Sequence, residues 1–301
     1  MKNKGLLFAL GAYIFWGLFP IYWKWLQQVE AVQLIGHRIT WSFVLLAIFI
    51  AATRQWQSFW RAAFHRRVLL LYSVAAVLIG INWLVYVWAV NANFIVETSL
   101  GYFINPLLSV LMGVVILRER LRRWQWVPVG LAALGVLYLT VAYGRLPWIA
   151  LTLAFSFGTY GLVKKLAPLG SLYGLTLETA LLFIPAVIYL VYADFSGSGA
   201  FLHASLPINL LLVGAGAMTT IPLLMFASAA QRLPLTMIGL AQFLAPTLQF
   251  LLGVLVYKEP FDQTHLIGFS LVWLALILFV AENFWAQRRV PAEPIPELGE
   301  G

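Results

Sequence analysis

The chain has 301 residues, of which 62% are hydrophobic, 15% aromatic and only 10% charged, and its mean hydropathy is +0.89. Soluble domains carry about 25% charged residues, so too few charged side chains are present here to coat a water-facing surface. A soluble globular protein, a disordered chain and a coiled coil are excluded, and the absence of cysteine excludes a disulfide framework, a cysteine nucleophile and a thiolate metal site. The net charge of +8 does not point to nucleic acid, because the basic residues fall in short clusters between apolar runs, the pattern of a membrane topology signal.

A helix crosses the hydrocarbon core with about 20 mostly apolar residues. That length predicts an all-α membrane protein of ten spans, at 5–26, 34–52, 68–90, 95–117, 125–143, 147–165, 173–193, 207–228, 236–256 and 264–285. Lys2 and Lys4 precede the first apolar run as in a signal peptide, but the run continues through Phe15-Trp16-Gly17 and Pro20 to Leu26. It is too long for a signal core and lacks a small-residue cleavage site, so it is expected to stay as a helix. Residues 290–301 carry three prolines and three glutamates and are expected to form a disordered cytoplasmic tail, having little to bury.

Orientation follows from the positions of Lys and Arg. With the N-terminus inside, fifteen basic residues fall on the inner side, among them Arg54, Arg61, Arg66, Arg67, Arg118, Arg120, Arg122, Arg123 and Arg232. Only Lys24, Arg38, Arg145 and Lys258 fall outside. Both termini are therefore expected in the cytoplasm, and the membrane is expected to be the bacterial inner membrane.

The two halves resemble each other. Leu100, Phe103, Pro106, Gly113 and Arg118-Glu119 recur at an offset of 140 as Leu240, Phe243, Pro246, Gly253 and Lys258-Glu259. Trp16-Gly17 and Lys24 align with Phe157-Gly158 and Lys165 at 141. Five spans per half is an odd number, so the second copy must enter from the opposite face, an arrangement common in secondary transporters. The expected units are 1–145, 146–289 and the tail 290–301.

Glu97-Thr98-Ser99-Leu100-Gly101-Tyr102-Phe103-Ile104-Asn105-Pro106, with His37-Arg38 before Trp41-Ser42, Asn82-Trp83, Trp88-Ala89-Val90-Asn91 and Phe155-Ser156-Phe157 leading to Tyr160-Gly161, resembles the RarD-type branch of the EamA family, in the drug/metabolite transporter superfamily. The likeness covers nearly the whole chain except the tail. It implies ten helices in two inverted five-helix repeats around a cavity open to one side at a time, and permease activity.

Several polar residues stand in the spans. Pro106 and Pro246 each fall about 11 residues into their spans, near the midplane, where a proline removes a hydrogen bond and frees a carbonyl one turn earlier. Tyr102, Asn105 and Gln242 flank them, so two kinked helices with amides facing a substrate cavity are expected, the alternative being kinks that serve packing alone. Asn82 and Tyr86, four residues apart on one face, Trp16 and Tyr160 complete the expected substrate-binding set. Arg38 and Glu97 open the second and fourth spans and are expected to pair in or gate the outer vestibule, unless each snorkels to the headgroups. Glu178, inside the seventh span, is expected to face protein or water, accepting a proton, binding a cationic group or bridging to Lys164 or Lys165.

No catalytic residue, cofactor or metal site is expected: His37, His65, His203 and His265 are scattered without ligand spacing, and neither a G-x-S-x-G elbow nor a phosphate loop occurs. Gly214-Ala215-Gly216 and Gly158-Thr159-Tyr160-Gly161 suit close helix packing. The expectation is a secondary transporter, an exporter of small organic solutes such as metabolites, amino acids or drugs. A flippase for lipids or lipid-linked solutes shares the architecture. The partners expected are a small-molecule substrate and membrane lipids, with no nucleic acid; the oligomeric state is not encoded.

Overall fold

The computed structural model describes residues 2–91, 95–143, 148–256 and 263–288, and all regular structure among them is helical. The elements are α1 (Lys2–Trp25), α2 (Ala31–Ala52), α3 (Trp56–Ala63), α4 (Arg66–Asn91), α5 (Ile95–Val115), α6 (Trp126–Tyr143), α7 (Trp148–Leu166), α8 (Ser171–Phe195), α9 (Leu206–Ala230), α10 (Leu235–Gln242), α11 (Leu244–Leu251) and α12 (Gln263–Arg288). Six of them, α1, α2, α4, α6, α8 and α9, are long and apolar enough over their described residues to cross a membrane. The tail 290–301 lies outside the described residues.

These helices are apolar on every side, as helices are that have no water-facing stripe. Leu7, Ile48, Leu70, Val77, Leu134, Ile184, Ile188 and Ile277 are all exposed, which suits hydrocarbon. The opposite faces meet in a central core in which Tyr13, Ile39, Leu46, Ile79, Tyr160, Leu223 and Phe226 are buried together. Small residues let backbones touch there. A Cβ on Gly216 of α9 would lie 2.5 Å from the Trp41 carbonyl carbon of α2, and the Ser42 hydroxyl donates to the Gly216 carbonyl at 3.1 Å.

The principal helix pairings are α5 with α7 and α10, α4 with α7 and α8, α2 with α8 and α9, α1 with α9 and α11, and α6 with α12. The helix starts repeat as well: α2, α4 and α5 begin at Ala31, Arg66 and Ile95, and α8, α9 and α10 begin 140 positions later, at Ser171, Leu206 and Leu235.

Two elements depart from the expected spans. The segment between the second and third spans contains α3, eight residues long, which is too short and too polar for a span criterion to register. The ninth span is divided: α10 stops at Gln242, Phe243 intervenes, and α11 gives way to a π-helical turn at Leu252–Val256. Pro246 has no N–H to offer the Gln242 carbonyl. By contrast α5 runs through Pro106 as one helix.

Candidate functional site

One five-residue stretch of α7, Ser156 to Tyr160, brings together Trp16, Asn82, Asn105, Tyr160 and Glu178 of the residues singled out in the sequence. Ser156 and the Leu153 carbonyl accept from the Asn82 amide of α4, at 3.0 and 2.9 Å. Phe157 meets the Trp16 ring of α1 edge-on at 5.7 Å, and both pack on Phe226. Gly158 faces Asn105 of α5, whose Oδ1 is where a Cβ on Gly158 would come within 3.6 Å. Tyr160 donates its hydroxyl to Glu178 Oε2 of α8 at 3.0 Å. Consecutive residues of a helix point about 100° apart, so Ser156, Phe157 and Gly158 face different neighbours, and α1, α4, α5 and α8 each contribute one partner.

Asn82 is thus satisfied by its neighbour helix. Asn105 Oδ1 and the Tyr13 hydroxyl, by contrast, are buried without a hydrogen-bond partner among the described residues. A buried unsatisfied group costs about 1–3 kcal/mol. Gln242 is buried at the end of α10. At Trp16 a second consequence of proline chemistry is visible: Pro20 cannot donate to the Trp16 carbonyl, and the Gln249 side chain of α11 donates to it instead at 2.9 Å.

Arg38 does not open its helix, because α2 begins at Ala31 and places it two turns in. It is 8% exposed. Its guanidinium lies over the Trp23 and Trp83 rings at 4.9 and 4.7 Å, and Nε donates to Thr219 Oγ1 of α9 at 3.0 Å. Tyr86 of α4 and Tyr102 of α5 meet with ring centroids 5.7 Å apart. The Glu97 side chain, and with it the expected Arg38–Glu97 pair, lies outside the described residues.

Glu178 forms an ion pair with Lys164 Nζ at 2.7 Å, both side chains being buried, and the ammonium also lies 5.4 Å from the Tyr72 ring. Of the two lysines considered from sequence, Lys164 is the partner; Lys165 donates to the Leu233 carbonyl. The carboxylate has both oxygens engaged, one by Lys164 and one by Tyr160.

A further contact was missed from sequence because it spans the chain. Glu119, in the turn after α5, accepts the Leu235 amide on Oε1 at 2.7 Å and the Thr236 amide on Oε2 at 3.0 Å. It caps α10, whose own N-cap is Pro234 and provides no side-chain cap. Arg118, with φ of 54°, makes the turn that aims it. The repeated basic-acidic pair was the available signal, but its partner sits 116 residues away.

Residues 3–141 match the model of the EamA-like transporter family. Among curated relatives, "Protein RarD" of Streptomyces exfoliatus is 45% identical over 288 residues, covering 96% of this chain and 91% of that protein. The "Uncharacterized transporter YojE" of Bacillus subtilis is 46% identical over 281 residues, covering 92% and 93%. A solved crystal structure superposes with a TM-score of 0.70 at 17% identity, over 94% of this chain and 99% of that one, and so shares the fold. The chain therefore belongs to the RarD branch of the EamA-like transporter family, as a bacterial integral membrane protein that is a transporter and not an enzyme.

Proposed function

We propose that this transporter is a secondary carrier, exporting small organic solutes by alternating access across the inner membrane, with both termini cytoplasmic. In this reading ten spans form two inverted repeats, 1–145 and 146–289: the six long helices, α5, α7, the α10–α11 pair and α12. Exchanging each helix for its counterpart, α1 for α7, α2 for α8, α4 for α9, α5 for α10–α11 and α6 for α12, carries the principal pairings onto one another. The helix starts 140 residues apart support the same symmetry.

The observation that carries the mechanism is a pair of buried ionic groups at equivalent places. Arg38 and Glu178 are each the eighth residue of the second helix in their half. Trp23 under Arg38 and Lys164 beside Glu178 stand 141 positions apart. Inverted halves put these two clusters towards opposite membrane faces. Each ties the second helix to the first of its own half, and Arg38 is tied through Thr219 to the other half as well. Opening one face requires its cluster to part while the other holds, which is the rule of alternating access. Between them lies the α7 stretch with Asn105 and Tyr13, where Trp16, Tyr86, Tyr102 and Gln242 would receive an amphipathic solute.

The test is counterflow in proteoliposomes, with solutes first selected by thermal shift of the purified protein against metabolites, amino acids and chloramphenicol. Binding to the folded state raises its apparent stability. Solute exchange dependent on the protein supports the carrier, and lipid scrambling without solute exchange favours the flippase. One feature speaks for that second reading: a cleft of about 380 Å³ lined by Leu78, Thr152, Phe155, Ser156 and Thr159 lies between α4 and α7, and its Ser156 holds Asn82.

A further inference from the structure

The short helix α3 has a face that the rest of the protein does not cover. Phe59 and Ala63 are buried against the start of α8, where Phe59 meets the Tyr173 ring at 5.7 Å and the Tyr173 hydroxyl donates to Gln55 Oε1 at 2.9 Å. That fixes which side of α3 looks inward. Trp56, Trp60 and Phe64, at 39, 41 and 69% exposed, form a ladder at four-residue spacing, with centroids 5.6 and 5.2 Å apart. Large aromatic faces in water are costly, and tryptophan favours the membrane–water boundary.

The charges around the ladder are of one sign. Arg54, Arg61, Arg66 and Arg67 are exposed, and no Asp or Glu occurs anywhere from 54 to 67. Arg54 has a backbone cost: it takes the left-handed conformation, φ 56°, that ends α2, with the Gln55 amide returning to the Ile50 carbonyl at 2.9 Å. Glycine would fit that position without strain. A guanidinium is kept at a site where the backbone prefers none. The same surface continues into the hydrocarbon-facing residues Ile48, Phe49, Leu70 and Val74, all exposed, so the aromatic ladder sits at the edge of the apolar belt with arginines beyond it.

We infer that α3 and its flanking arginines form a docking surface for anionic phospholipids of the surrounding bilayer, the rings lying among the upper acyl chains and the guanidiniums binding headgroup phosphates. Guanidinium suits this chemistry because its planar fork donates two parallel hydrogen bonds to a phosphate. The inference rests on the membrane-spanning fold and not on any substrate or gating role. Because α3 packs on the α8 end that also carries Tyr173, lipid bound there props the neighbourhood of Tyr72 and Leu169, which share the same buried cluster.

The full chain contains no cysteine, so Phe64→Cys offers a single site for a nitroxide label on an exposed position. The labelled protein is reconstituted in vesicles of phosphatidylcholine alone and of an equimolar mixture with phosphatidylglycerol, co-flotation reporting insertion separately. The expected result is a label more accessible to oxygen than to an aqueous nickel chelate, and deeper in the anionic vesicles. Native mass spectrometry should show phosphatidylglycerol retained over phosphatidylcholine, with the preference falling about fivefold for each arginine changed to Gln, the effect of one cation near an anionic surface. Arg54→Gly relieves the backbone and so stays folded, yet should lose the same preference. A chelate-exposed label in both vesicles overturns the inference. Equal protection in both vesicles also overturns it, spin–spin broadening then identifying a second copy of the chain as the occupant.

Discussion

Arg38 and Glu178 occupy the same place in two different helices: each is the eighth residue of its helix, each is buried, and they carry opposite charges. A charge in a membrane span must be paired or lined by polar groups. Glu178 meets that need with Lys164 and Tyr160, Arg38 with Thr219 and aromatic faces. Removing one member of a buried pair leaves the other uncompensated, at about 3–5 kcal/mol. Glu178→Gln should therefore lower the thermal stability of the purified protein, and Lys164→Met combined with it should recover much of the loss. A double mutant no better than the single would dismiss the pair as a latch.

Arg38 depends on shape as well as charge. Arg38→Lys keeps the cation but loses the flat contact with Trp23 and Trp83 and the Nε donor to Thr219. Initial rates in counterflow should fall at least about tenfold for Lys and for Ala alike, since a point charge does not replace a stacked, directional group. Full activity in Arg38→Lys would show that charge alone matters. If Glu97 is coupled to it, the Arg38→Ala/Glu97→Ala pair should lose less than the sum of the single losses.

The cap on α10 gives a third test. Glu119→Gln keeps one acceptor oxygen for the Leu235 and Thr236 amides where the carboxylate supplies two. A lost N-cap costs about 0.5–2 kcal/mol, and Glu119→Ala should reach the upper part of that range in thermal unfolding. Gly113→Ala should be at least as damaging, because its Cβ would fall 2.7 Å from Glu119 Oε2 and 3.1 Å from the Thr236 amide nitrogen.

Pro20 of α1 and Gln249 of α11 make a compensating pair. Gln249→Ala strips the Trp16 carbonyl of its donor and should destabilise by about 1–3 kcal/mol, the cost of an unsatisfied buried group. Adding Pro20→Ala supplies an amide in the right place for that carbonyl and should restore part of the loss. Additive losses in urea or thermal unfolding would refute the connection.

Topology can be read with single cysteines in this cysteine-free chain. Gly197 has φ of 77°, which a cysteine would strain, so Ser196→Cys is the better outer probe. It should label with an impermeant reagent from outside whole cells, and Arg120→Cys should label only after lysis. The opposite pattern would reverse the orientation drawn from the basic residues.

The sequence by itself determined what depends on composition and local order. Apolar runs must become membrane helices, since lipid satisfies no backbone group, and the helices that start at Ala31, Arg66 and Ile95 and their copies 140 residues later begin within three residues of the expected spans. Asn82, Arg38 and Glu178 were legible as costly residues in need of partners. Which partners they take was decided only by tertiary structure. Lys164 and Lys165 are adjacent in the sequence, but helix rotation turns one to Glu178 and the other to the Leu233 carbonyl. Glu119 was legible only as part of a repeated basic-acidic pair and Gln249 not at all, because their targets are backbone groups 116 and 233 positions away. The break at Phe243 and the continuous path of α5 through Pro106 follow the same logic. A proline only removes a hydrogen bond, and the neighbours packed around the freed carbonyl determine whether the helix bends, breaks or continues.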